Sequence, residues 1–178
     1  MQILVVILII LRIVAPALLF VSPWVGCIVN LFLDMIDGLV FEKAGFSNAR
    51  YNRFDKPLDF YWYVWIMIYI LANRATIPHV WLFGAFFIIR LIGQIGYSIT
   101  ENHMFYFYFP NIFEAFFWAY VLNDVTGWSD FRKTSSLLIW LAVVLAFKIP
   151  IEYFLHVAKL SVTNIIFKPI FGKEIMSW

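Results

Sequence analysis

Four aspartates, Asp34, Asp37, Asp55 and Asp59, fall within 26 residues of a chain that carries 11 acidic groups in 178. Asp34 and Asp37 are three apart and Asp55 and Asp59 four apart, spacings that place each pair on one face of a helix. Two such helices packed side by side present four carboxylates to one point. Unit charges about 4 Å apart interact by about 4 kcal/mol at an effective dielectric of about 20, so the cluster demands compensation. Protonation with raised pKa values is one answer. Divalent cations are the other, and all-oxygen ligation favours Mg, Mn or Ca. Mg or Mn held by a few carboxylates, with positions left open, also suits the holding of phosphates, and phosphate chemistry is the first expectation. Gly38, directly after Asp37, has no side chain to keep a ligand from the backbone. For any single aspartate the simpler reading is an interfacial carboxylate paired with Lys43, Arg50, Arg53 or Lys56; four at these spacings favour the cluster.

The elements that position these residues follow from composition. The chain is 63% hydrophobic and 13% charged, with mean hydropathy +0.86, whereas a soluble domain is about half apolar and a quarter charged. It reads as an integral membrane protein, all-α, because lipid admits helices or closed barrels and the apolar runs are continuous rather than alternating. One cysteine, Cys27, excludes a disulfide framework, and a net charge of +2 gives no footprint for nucleic acid. Crossing about 30 Å of hydrocarbon takes roughly 20 apolar residues, and six runs qualify, at 2–21, 24–41, 54–71, 77–99, 104–122 and 137–157. The third is apolar only from Leu58, but its helix is expected to begin near Phe54, which brings Asp55 and Asp59 into its first turns.

The chain is read as a single membrane domain, 1–178, of six transmembrane helices. Its first run has no charge at its start, carries Arg12 inside and shows no small-x-small site before Pro23, so it reads as a retained span rather than a signal peptide. Lys43, Arg50, Arg53, Lys56, Lys159, Lys168 and Lys173 share one side of the membrane, against Arg74, Arg132 and Lys133 on the other, and the positive-inside rule makes the first side cytoplasmic. The tail, 160–178, mixes Ile and Phe with Lys168 and Lys173, which suits an interfacial segment or a loose end.

The stretch Asp34-Met-Ile-Asp37-Gly38 followed by Asp55-Lys-Pro-Leu-Asp59 resembles the signature of the CDP-alcohol phosphotransferases, six-span enzymes of phospholipid synthesis, D-x-x-D-G-x-x-A-R-x(8)-G-x-x-x-D-x-x-x-D. The four aspartates and the first glycine are in register. Phe41, Glu42 and Tyr51 stand where that signature has Ala, Arg and the second Gly. The resemblance implies transfer of a phosphatidyl-type group from a CDP-linked lipid to an alcohol acceptor, with release of CMP. It implies Mg or Mn on Asp34, Asp37, Asp55 and Asp59, with Asp59 also the catalytic base. Gly38, Arg50, Arg53 and Arg90 are the expected substrate contacts, and a homodimer in the lipid bilayer is the expected assembly. Arg12 and Pro16 resemble an Arg-x-x-x-Pro found early in such enzymes, but 22 residues from Arg12 to Asp34 are too few for two full crossings, so Arg12 is left out of the site. The alternatives are a diverged member that keeps the metal site and has changed or lost the nucleotide, and a non-enzymatic cation-binding or transport bundle.

Ionisable residues inside spans are functional candidates because they are expensive there. Arg90 in the fourth run either reaches a substrate phosphate or pairs with Glu114 in the fifth. Lys148, Glu152 and His156 recur at four-residue steps along the sixth, read as an internally paired stripe or as the wall of an acceptor pocket. His79 and His103, near span ends, are expected to be solvated. The aromatics around Tyr106, Trp62 and Trp65 are expected to be packing and interface anchors.

Overall fold

The computed structural model describes residues 2–158, the side chains of 48 and 49 excepted; the expected interfacial tail lies outside them. Every element among the described residues is helical. They divide into two compact units, one ending at Trp62 and the other over Tyr63–Ala158.

In the first unit, α1 (Gln2–Val14) runs into a 3-10 segment, Ala15–Phe20. Pro16 causes the change, because it has no N–H to return to the Arg12 carbonyl and the α ladder cannot continue through it. At this junction the Tyr61 hydroxyl donates to the Ile13 carbonyl, 3.1 Å. Ser22 in extended backbone and Pro23 at the first helical position then start α2 (Pro23–Lys43). The hairpin closes tightly. A Cβ on Gly26 would lie 2.9 Å from the Leu19 backbone nitrogen, so any side chain there would force the two arms apart. Val5, Leu8, Ala15, Leu33 and Phe41 form the apolar core between the two arms.

The end of α2 is built as a Schellman motif: Gly45 takes φ +80° and donates to the Glu42 carbonyl, while Phe46 N–H donates to Phe41 O at 3.1 Å. The accompanying apolar contact is Phe46 edge-on to Phe41, with ring centroids 5.0 Å apart. The chain reverses within four residues and enters α3 (Asn48–Ala72), whose start lies ahead of the expected Phe54. Asp55 and Asp59 are therefore its eighth and twelfth residues, more than one turn further in than the expected first two turns.

In the second unit, the end of α3 is followed by α4 (Val80–Thr100), α5 (Met104–Tyr108), α6 (Ile112–Thr126) and α7 (Thr134–Glu152), which closes in a π-helical turn, Tyr153–Val157. Its core is aromatic. Phe83 and Phe116 lie 5.1 Å apart and Phe87 and Phe113 5.3 Å apart, with Phe131 against Phe116 at 5.6 Å. Pro150 loosens α7 just before the π turn.

Four helical segments are long and apolar enough to cross a membrane, Gln2–Phe20, Pro23–Lys43, Val80–Thr100 and Thr134–Val157. The other two of the six expected spans depart for physical reasons. α3 has the length, but its first turns carry Asn48, Arg50, Asn52, Arg53, Asp55 and Lys56. The run 104–122 is broken at Phe109-Pro110, and Asn111, whose side chain accepts from Glu114 N, starts a helix of 15 residues, about 22 Å long. Apolar side chains such as Ile3, Leu4, Trp81, Ile99, Ile139 and Phe147 stand exposed on the membrane-length helices, as a lipid-facing surface requires.

Candidate functional site

The first unit brings the four aspartates together around a residue excluded at the level of sequence. Arg12 sits among them with its side chain 2% exposed. Its NH1 donates to Asp37 Oδ2 and to Asp55 Oδ1, the latter at 3.1 Å; its NH2 donates to Asp34 Oδ1 at 2.9 Å and to Asp59 Oδ1 at 2.7 Å. A guanidinium has two terminal nitrogens with two N–H groups each, so each terminal donor has one aspartate.

The count of 22 residues misled because it assumed two full crossings between the residues, whereas neither lies at the far end of its helical segment. Both lie partway along their helices, and the turn between them lies at residues 21 and 22. The 3-10 segment rises about 2.0 Å per residue against about 1.5 Å in an α-helix, so Arg12 and Asp34 each stand about 16 Å from the hairpin turn and come level. Arg12 also continues the buried stripe of Val5, Leu8, Ala15 and Leu19, at alternating steps of three and four.

Lys56 supplies a second cation, with Nζ 2.6 Å from Asp55 Oδ2 and 3.3 Å from Asp59 Oδ2. Tyr51 donates its hydroxyl to Asp37 Oδ1 at 2.7 Å. Burial, with Asp55 and Asp37 adding to it, pushes that hydroxyl well above its ordinary range, so Tyr51 remains a donor. Asp37 and Asp55 are buried, Asp59 is partly open, and the Asp34 side chain is 47% exposed. Access to the cluster is therefore from the Asp34 side. Gly38 is buried beside Asp37 in α2.

Carboxylate oxygens of Asp34, Asp55 and Asp59 lie within 4.8 Å of one another. Oxygens on opposite sides of an ion are about 4 Å apart around Mg and about 5 Å around Ca, so the three residues fit one divalent ion of that class. The donor set, all carboxylate, suits such an ion, while Arg12 and Lys56 already meet part of the charge there.

The expected substrate contacts are placed differently. Arg50 lies over the Phe46 ring, 4.4 Å from its centroid, and Arg53 is exposed; neither forms an ion pair with an aspartate among the described residues. Beside Asp37, the positions that would be small in the resembled signature are filled. Phe41 is buried, with Tyr51 at 5.3 Å and Phe54 at 5.9 Å, and Phe46 and Phe54 close the cluster at 6.1 Å.

Arg90 belongs to the second unit, buried, with its guanidinium 4.4 Å from the Tyr106 ring centroid and 5.5 Å from that of Tyr63. Glu114 accepts from Asn111 Nδ2 at 2.7 Å. The Lys148–Glu152–His156 stripe is internally paired, at 3.1 Å and 3.0 Å, and Glu152 also accepts from the Asn111 backbone at 3.2 Å. The two histidines expected to be solvated are partly buried: His79 faces the Phe131 carbonyl at 3.1 Å, and His103 stacks on His156 with centroids 6.2 Å apart. No family model, curated protein or solved structure matches this chain.

Proposed function

We propose that the chain is a membrane phosphotransferase that moves a phosphatidyl-type group from a diphosphate-linked lipid, a CDP-lipid in the first reading, to an alcohol acceptor. The observation that carries the proposal is the meeting of Asp34 and Asp37 from α2 with Asp55 and Asp59 from α3 around one point. Six spans complete the topology, with α3 and the α5–α6 pair as the two beyond the apolar four, and the loop between α2 and α3 faces the cytoplasm by its basic residues. A homodimer is the assembly that the resemblance suggests.

Mg or Mn on Asp34, Asp55 and Asp59 would neutralise diphosphate charge and ease departure of the leaving group. Asp37, held between Arg12 and Tyr51, fixes the α2 side of the site. Asp59 is the base. Its side chain is partly open, unlike those of Asp37 and Asp55, which leaves it within reach of an acceptor hydroxyl. In the transfer the acceptor oxygen bonds to the lipid-side phosphorus, the bond from that phosphorus to the leaving phosphate oxygen breaks, and the acceptor proton passes to Asp59. A boundary site suits such substrates, because acyl or isoprenoid chains stay in lipid while the headgroups meet water.

A second reading has its own observation. The packed rings of Phe41, Phe46, Tyr51 and Phe54 favour a diverged member that keeps the acidic cluster and takes a donor without the nucleotide. The deciding experiment is CMP release from CDP-lipid by the purified protein in detergent, with Mg or Mn and a panel of alcohols, beside Asp59→Asn. Metal-dependent release that the variant abolishes supports the first reading. Absence of release while metal still binds favours the second.

A further inference from the structure

We propose that Arg12 is the resident cation of the aspartate cluster and that, with Arg12 in place, the cluster takes one divalent ion and not two. The inference rests on the metal reading above and concerns how many ions the site accepts.

Three observations support it. The first is saturation. Each terminal N–H of the guanidinium meets a different aspartate, and the two nitrogens draw in residues from both α2 and α3. An arginine stays charged at any working pH, so this is a permanent positive charge at the centre of the site. The second is charge. Four carboxylates face Arg12 and Lys56, which leaves two negative charges. One divalent ion balances them; a second would leave the same excess of positive charge in a largely buried site, where uncompensated charge is costly. The third is the supply of ligand atoms. Both oxygens of Asp37 are committed, to Arg12 and Tyr51, and both of Asp55, to Arg12 and Lys56. Asp34 Oδ2, on the exposed side, has no hydrogen-bond partner among the described residues, and Asp59 Oδ2 has only the long contact to Lys56. Those oxygens offer ligands for one ion, whereas a second would need oxygens that Arg12 already holds.

The test is a count of bound Mn2+ by electron paramagnetic resonance on the full-length protein in detergent, purified in Mn2+ and titrated, for the wild type, Arg12→Met, Arg12→Gln and Arg12→Lys. The expected result is one ion per chain in the wild type and in Arg12→Lys, and two in Arg12→Met and Arg12→Gln. Two ions on the wild type, or one on both neutral variants, overturns the proposal. Failure of both neutral variants to fold under saturating Mn2+ also overturns it, because a second ion should replace the lost guanidinium. No bound ion on any of the four proteins would instead sink the metal reading on which the proposal stands.

Discussion

Tyr51 donates its phenolic proton to Asp37 Oδ1 across 2.7 Å. The position at which the resembled signature has glycine thus carries a bond that ties the first turn of α3 to the buried acid of α2. The ring of Tyr51 packs against Phe41 on its other side.

Replacing Tyr51 by Phe keeps the ring and deletes that bond. Hydrogen bonds to charged groups are worth about 1.5–3 kcal/mol, and the buried carboxylate loses its donor, so a destabilisation of about that size is expected. Thermal unfolding in detergent measures it, and an unchanged midpoint would show that the bond is not made in solution.

Asp34→Asn and Asp37→Asn should separate ligand from scaffold. Asp34 belongs to the oxygen triad and is half open to its surroundings, so its variant should fold normally and lose most of the stabilisation conferred by Mn2+. Asp37 is buried between Arg12 and Tyr51, so its variant should unfold earlier even without metal. Midpoints recorded with Mn2+ and with chelator test this, and equal behaviour of the two variants would contradict the assignment.

Gly26→Ala probes the hairpin. The added Cβ would meet the Leu19 backbone nitrogen at 2.9 Å, and backbone cannot step aside as a side chain can, so a loss of about 1–3 kcal/mol is expected. Gly84→Ala is the control, since its Cβ would touch only the Met67 terminal methyl at 3.9 Å. There the helix gains alanine and stability should hold or rise by up to about 1 kcal/mol. Equal loss in both would refute the close approach.

In the second unit, Glu152→Leu removes the acceptor shared by Lys148, His156 and the Asn111 backbone. Breaking a buried charge pair costs about 3–5 kcal/mol. Glu152→Gln keeps an acceptor oxygen and should lose less. Proteolysis rates in detergent would rank the two, and a leucine variant as robust as the wild type would remove the stripe from the account of stability.

The acidic cluster was legible because helical spacing is a local property: steps of three and four align carboxylates whatever the rest of the chain does. Arg12 was not. In α1 nearly every neighbour is apolar, so no polar face sets off the buried stripe of Val5, Leu8, Ala15 and Leu19 on which Arg12 falls. The 3-10 rise that brings it level with Asp34 depends on Pro16, whose effect on length a residue count omits. The available signal was the cost of an arginine inside an apolar span, which by itself demands partners. Lys56 appeared among the possible ion partners and is the one that pairs, whereas Tyr51 registered only as a bulky departure, since a hydroxyl finds its acceptor through tertiary packing. Span count was the least legible feature, because hydropathy sees an apolar run at 104–122 and not the break at Pro110.

Arg12 draws two of its partners, Asp55 and Asp59, from a helix synthesised after the hairpin that carries it. While only α1 and α2 have entered the bilayer, the guanidinium has half its complement of carboxylates. Docking of α3 against the hairpin therefore completes the carboxylate shell of an arginine that is costly inside an apolar span.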